Sequence, residues 1–331
     1  MLKRISTLVV AGLTAAALAA CGTGGSGGSG GTEGGGSGGD SIVMGFSQVG
    51  AESGWRTANT KSVQEAAKQA GITLRFSDAQ QKQENQIKAI RSYIQQKVDV
   101  IAFSPVVESG WDTVLKEAKD ANIPVILTDR AVDSADTSLY KSFLGSDFVE
   151  EGKKAGQWLV EEYKDSSETV NIVELQGTTG SAPANDRKAG FAEVIGADQK
   201  FKIVASQTGD FTRAKGKEVM DAFLKAQPDI DVLYAHNDDM GLGAIEAIEG
   251  AGKVPGKDIK IITVDAVKDG MQALADGKIN YIVECSPLLG PQLMDLAKKV
   301  VAGESVPARV VTEETTFTQE QAKEALPSRQ Y

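Results

Sequence analysis

Three arginines, Arg56, Arg130 and Arg187, stand where they could grip a small oxygen-rich molecule. Each guanidinium is a planar fork of donors that can hold two adjacent oxygens. Further polar groups follow the same short apolar runs: Glu52 and Ser53 before Arg56, Asp129 before Arg130, then Asn237 and Asp265 in the second half. Trp55 offers a flat apolar face of the kind that packs on the C–H side of a sugar ring. This set suits a neutral polyol, because a hydroxyl that leaves water needs a new partner. The competing explanation for any single Asp or Asn is turn chemistry. Asp78, Asp210 and Asp239 are assigned to turns on that ground, and the recurrence of the pattern in both halves supports the ligand reading for the rest.

Catalytic chemistry is poorly supplied. Asp238 and Asp239 are adjacent, and neighbours on one chain rarely face each other across the roughly 5–9 Å that glycoside hydrolysis requires. His236 is the only histidine, and no strained serine elbow accompanies it, so a structural role is expected. Two cysteines and one histidine do not make a zinc site, and no EF-hand pattern occurs. No metal and no cofactor are expected. The formal charge of −10, from 35 Lys+Arg against 45 Asp+Glu, argues against a nucleic-acid partner. Cys285 follows Tyr281-Ile282-Val283 and reads as a small buried thiol.

The elements that must position these groups alternate between strand and helix. Strands are expected to begin near Ile42, Thr73, Asp99 and Pro124, then near Asn171, Lys202, Asp231 and Lys260, at spacings that fit one βα unit each. Runs such as IVMGF, VDVIAF and IKIITV are almost wholly apolar, as strands covered on both faces are. Val63, Ala66, Ala67 and Ala70 repeat at helical spacing, with Gly71 as the C-terminal cap. The fold class is therefore α/β, with two doubly wound parallel-sheet domains. With 331 residues, two domains of roughly 150 residues are expected. A late strand (NYIVEC), a helix over 290–301 and a final strand (ARVVTEETTFT) are too few for a third domain. They return to complete the first two, which makes several crossings. The expected division is 41–147 with 284–309 for the N-terminal domain and 148–283 with 310–331 for the C-terminal one, joined by a multi-crossing hinge. Ligands of open parallel sheets bind beyond the carboxyl ends of the strands, where the groups above fall, and two such domains can close on a ligand by hinge motion.

The first forty residues stand apart. Lys3 and Arg4 precede the short apolar run 8–20, so 1–20 reads as a secretory signal. Leu18-Ala19-Ala20-Cys21 resembles the bacterial lipoprotein cleavage box. That resemblance implies cleavage before Cys21, lipidation of its sulfur, and an extracytoplasmic protein anchored to the cell membrane by lipid alone. Residues 22–39 hold 12 of the 36 glycines and form a flexible tether, within the 21–40 segment, of roughly 23 Å root-mean-square span. Chance matches there to G-x-G-x-x-G and G-x-S-x-G follow no strand and carry no function.

Several stretches resemble the periplasmic sugar-binding proteins of ABC transporters, with the type I, ribose-binding-like fold: GFSQVGAESGWR (45–56), QQKQENQIKAIRSYI (80–94), SPVVESGWDTVLKEAKDANIPVILTDR (104–130), VELQGTTG (173–180), DRKAGFAEVI (186–195), GDFTRAKGKEVM (209–220) and YAHNDDMGLGAI (234–245). GFSQ…ESGWR and YAHNDDM are similar to the galactofuranose-binding branch. The resemblance spans nearly all of 42–331. It implies capture of a monosaccharide, a furanose such as galactofuranose, and delivery to an ABC permease with its cytoplasmic ATPase by a monomer without enzymatic activity. It implies ligand contacts at Glu52, Ser53, Gly54, Trp55, Arg56, Asp129, Arg130, Arg187, Asn237 and Asp265, with Phe46 in the pocket wall. Two positions depart from the family pattern: Ala266 where glycine is usual, and Pro183 within the loop 181–185. Alternatives are a receptor for chemotaxis or a furanose signal, and a glycan-processing enzyme. A sugar-sensing repressor of the same fold would carry an N-terminal helix-turn-helix, where this chain has a signal and glycine tether.

Overall fold

The computed structural model describes residues 41–227 and 229–331. The expected signal segment, Cys21 and the glycine tether lie outside the described residues. Among the described residues no helix is long and apolar enough to cross a membrane.

Two six-stranded sheets are flanked by helices on both faces. The first contains β1 (Val43–Gln48), β2 (Thr73–Asp78), β3 (Val100–Phe103), β4 (Val125–Thr128), β5 (Ser142–Gly145) and β11 (Arg309–Val311), in the order β2-β1-β3-β4-β5-β11, all parallel. The second contains β6 (Val170–Gln176), β7 (Phe201–Thr208), β8 (Val232–Ala235), β9 (Lys260–Asp265), β10 (Tyr281–Glu284) and β12 (Thr316–Phe317). Its order is β7-β6-β8-β9-β10-β12, parallel except for the terminal β10–β12 pair. The inner strands β3, β4 and β8 are buried along their whole length, whereas the edge strands β2 and β7 are largely open. Continuous apolar runs and mixed runs divide accordingly.

The helices behave as their spacing requires. α1 (Gly54–Ala70) buries Val63, Ala66 and Ala67, and Gly71 closes it at φ 70° with its N–H on the Ala67 and Lys68 carbonyls. α9 (Gly290–Val301) returns to pack on α1 with Leu293, Met294, Leu296 and Ala297 buried beside Val63 and Ala67.

Two elements differ from the sequence expectation. β5 is short and carries a serine and a terminal glycine (SFLG), too weak a pattern to stand out. The single final strand is two: β11 pairs with β5 in the first sheet and β12 with β10 in the second, with 312–315 passing between them. The division expected at 309/310 therefore falls inside β11, whose three residues all pair with β5.

α4 (Phe148–Glu162) and α5 (Ala182–Ile195) lie closer than side chains normally permit. A Cβ built on Gly152 would stand 2.2 Å from the Arg187 carbonyl oxygen, and one on Gly190 would stand 2.1 Å from that of Val149. This approach sets Glu151 of α4 against Arg187 of α5. Gly190→Ala is expected to destabilise the protein by about 1–3 kcal/mol through overpacking, read in a denaturant titration; a loss below about 0.5 kcal/mol would show that the contact yields freely.

Candidate functional site

The carboxyl ends of both sheets border one cavity with about 290 Å³ of atom-free space. Nine of the ten expected ligand residues line it. Glu52, Ser53, Trp55 and Arg56 come from the start of α1, and Asp129 and Arg130 follow β4. Arg187 lies on α5, Asn237 starts α7 (Asp238–Gly250) and Asp265 ends β9.

Gly54 does not line the cavity. Its N–H donates to Asp239 Oδ2 at 2.7 Å, tying α1 to α7. Asp239, assigned to a turn, thus bridges the two sheets' helices. Phe46 is not in the wall either: it is fully buried beside Met44, Val63 and Ile126. Its position two residues before the end of β1 places it within the layered core, below the strand ends. Four lining residues escaped the sequence reading: Phe148, Pro183, Phe211 and Cys285. Phe148 opens the helix after β5, the strand that was itself missed. Phe211 follows Asp210 in a strand-to-helix turn, where only the acid had drawn attention. Pro183 was visible as a departure, but the stretch expected to be a loop is the first turn of α5, and Cys285 directly follows β10.

Helix starts surround the site. Ser53 caps α1, its Oγ accepting from the Arg56 N–H at 3.1 Å, and Asn237 caps α7, its Oδ1 accepting from the Met240 N–H at 3.0 Å. Each cap fixes a side chain at the cavity edge. Asn237 Nδ2 also donates to the Phe211 carbonyl at 3.1 Å, which seats that ring. The Trp55 indole N–H donates to the Cys285 carbonyl at 2.7 Å, across the two halves of the fold.

The three arginines differ in how fully they are satisfied. Arg56 donates to Glu52 (3.0 Å) and Gln48 (3.1 Å) and lies 2.7 Å from Asp129, whose Oδ2 also accepts from Ser104 Oγ. Burial would lower its pKa, but Asp129 and Glu52 outweigh that and raise it. Burial would likewise raise Asp129, but Arg56 and Arg130 hold it below the usual carboxylate range. Arg187 donates to Glu151 at 2.7 Å and to the His236 carbonyl at 2.6 Å. Arg130 is the exception. Its hydrogen bond to the Val106 carbonyl is 3.2 Å long, Glu52 stands 3.8 Å away, and its buried Nε has no partner. Burial, then the neighbouring charge of Arg56, pushes its pKa down to about 10. Aromatic faces complete the setting: Phe211 lies 5.3 Å from the Arg130 guanidinium and Phe148 5.1 Å from that of Arg187.

Asp265 and Ala266 have φ of 121° and 63°, a region that disfavours side chains. The turn is held from several sides. Asp238 accepts from the Val267 N–H (2.7 Å) and from Thr263 Oγ1, and Arg329 Nε donates to the Ala266 carbonyl at 2.6 Å. The left-handed backbone at Ala266 is one that glycine adopts without strain. His236 is fully buried, 3.1 Å from Glu174, with its pKa lowered mainly by burial.

Buried carboxyls set a pH dependence. Burial raises Glu151 to about 8 despite Arg187, raises Asp238 to about 7, and lifts Asp265 well above its ordinary value. In the folded state these groups bind protons more tightly than in the unfolded chain, so stability is greatest below the unfolded carboxyl pKa and falls as pH rises. The thermal midpoint of the ligand-free protein is expected to fall between pH 5 and pH 8, and Glu151→Gln to flatten that slope. A full deprotonation difference is worth about 1.4 kcal/mol per pH unit. A midpoint that rises over this range contradicts the assignment.

The chain resembles known proteins over almost the whole described region. Residues 44–305 match the family model of the periplasmic binding protein domain. The galactofuranose-binding protein YtfQ of Escherichia coli (strain K12) is 49% identical over 289 residues, 86% of this chain and 90% of that protein. A crystal structure from Mycobacterium smegmatis in complex with β-D-fucofuranose superposes with a TM-score of 0.87 at 68% identity, covering 88% of this chain and 96% of that one. The binding protein of the arabinose ABC transporter from Shewanella sp. ANA-3, bound to α- and β-L-arabinofuranose, superposes at 0.84 with 51% identity, covering 87% and 96%. The two parallel-dominated sheets, the cavity at their carboxyl ends and the match over 44–305 agree: this chain belongs to the periplasmic binding protein family and has its type I fold.

Proposed function

We propose that this protein captures one monosaccharide in its furanose form, galactofuranose or a close relative, and hands it to an ABC permease driven by a cytoplasmic ATPase. The observation that carries the reading is the polar cavity at the carboxyl ends of both sheets, in which the buried Arg130 is only partly spent on protein acceptors. Hydroxyls of a bound sugar supply the missing acceptors, and Trp55, Phe148 and Phe211 supply apolar faces for its C–H edges. Three relatives named above bind or are complexed with furanoses, which supports the ring form.

Binding alone accounts for this role, and no catalytic step is assigned. The two moving bodies are 41–145 with 290–311, and 148–284 with 316–331, linked through 146–147, 285–289 and 312–315. Lipidation at Cys21 tethers an extracytoplasmic monomer to the membrane, with the glycine segment as spacer.

The test is calorimetry and thermal unfolding of the protein with D-galactose, D-fucose, L-arabinose, D-ribose and D-glucose. These free sugars carry furanose fractions in solution. Ligand at 100 times its Kd adds about 2.7 kcal/mol to stability. A raised midpoint with galactose, fucose or arabinose, and a weaker response to glucose, is expected. No response to any of the five overturns the reading.

A further inference from the structure

Three segments join the two halves: 146–147 between β5 and α4, 285–289 between β10 and α9, and 312–315 between β11 and β12. One carboxylate oxygen touches all three. Glu314 Oε1 accepts from Ser146 Oγ at 2.5 Å, from the Ser286 N–H at 2.9 Å and from Thr312 Oγ1 at 2.9 Å. Ser146 Oγ in turn lies 3.3 Å from Cys285 Sγ and from Thr312 Oγ1. Glu314 itself does not line the sugar cavity.

We infer that Glu314 is a positioning residue for sugar binding, a clasp that holds the three crossings in register and favours the closed arrangement of the halves. The closed state is the one described: the Gly54 N–H reaches Asp239, and the Glu108 N–H donates to the Gly180 carbonyl at 2.9 Å, both across the cleft. Rotation of one half against the other must change the backbone torsions of all three crossings together. A single acceptor shared by the three makes their conformations interdependent, because any crossing that moves alone gives up its hydrogen bond to that oxygen. The clasp therefore acts on the fraction of closed protein, and apparent affinity scales with that fraction.

This inference rests on the proposed sugar-binding function for its affinity arm but not for its conformational arm. Full-length Glu314→Ala, Glu314→Gln and unaltered protein are compared by small-angle X-ray scattering without sugar and by calorimetric titration with D-galactose and L-arabinose. Glu314→Ala is expected to increase the sugar-free radius of gyration and to weaken sugar binding about 5- to 30-fold. Glu314→Gln keeps an acceptor oxygen and is expected to restore most of both. Unchanged scattering for the alanine variant overturns the clasp, whatever its affinity. So does equal loss in the glutamine and alanine variants, which would assign the effect to charge. Where Glu314→Ala does not fold, Ser146→Ala and Thr312→Val each remove one donor, and both must expand the sugar-free protein. If the unaltered protein binds neither sugar, the proposed function fails while scattering still decides the clasp.

Discussion

Replacing Arg56 with alanine is expected to lower the free energy of unfolding by about 3–5 kcal/mol, the largest stability effect of any single change at the cavity. Arg56 is 2% exposed and serves Glu52, Asp129, Gln48 and Ser104 at once. Its removal leaves two buried carboxylates with only the more distant Arg130, 3.8 Å from Glu52 and 3.7 Å from Asp129. Glu52 Oε2 already lacks a partner, so no local reserve exists. Breaking one member of a buried ionic cluster leaves the desolvation penalty of the others uncompensated, and that penalty exceeds the mean worth of the bonds. Arg56→Lys is expected to fall between, because a single ammonium cannot span Glu52 and Asp129 as a planar fork does. Chemical denaturation measures both. A loss below about 1 kcal/mol for Arg56→Ala would falsify this account of the cluster.

Arg130→Met is expected to weaken sugar binding by about 10²- to 10³-fold, or roughly 3–4 kcal/mol, while reducing unfolding stability much less than Arg56→Ala. The contrast follows from what each guanidinium does without ligand. Arg130 has one long hydrogen bond, to the Val106 carbonyl, and an unpartnered buried Nε. A buried cation so poorly compensated contributes little to the ligand-free fold. On the proposed function the same donors would meet sugar hydroxyls, and a hydrogen bond to a charged group is worth about 1.5–3 kcal/mol. Methionine keeps an apolar side chain of similar reach and removes the guanidinium that lies over the Phe211 ring. Calorimetry and unfolding on the same preparation separate the two effects. Equal affinity in Arg130→Met and the unaltered protein would remove Arg130 from the ligand contacts.

The fold was legible where composition alone decides burial. A strand such as β3 (VIAF), apolar along its length, needs cover on both faces, and that requirement leads directly to parallel layers. β5 was not legible. Its four residues include a serine and a glycine, and it becomes a strand only because β4 and β11 pair on either side of it. The split of the final strand was equally hidden, since no local preference says that 309–311 and 316–317 serve different sheets.

At the cavity, the sequence determined which side chains stand at strand ends, because a parallel sheet delivers the residue after each strand to the same edge. Arg130, Asn237 and Asp265 needed no coordinates for that, whereas Arg56 and Arg187 stand within α1 and α5, past the strand ends. Tertiary structure decided everything that depends on distance between elements. It turned Phe46 into core and Gly54 into a bridge to Asp239. It brought Phe148, Phe211 and Cys285 to the wall. It also distinguished the satisfied Arg56 from the unsatisfied Arg130, two residues of one type in similar local settings. The physical reason is range. Periodicity and capping act within a few residues, whereas hydrogen-bond satisfaction and desolvation are settled between segments that meet only when both sheets have formed.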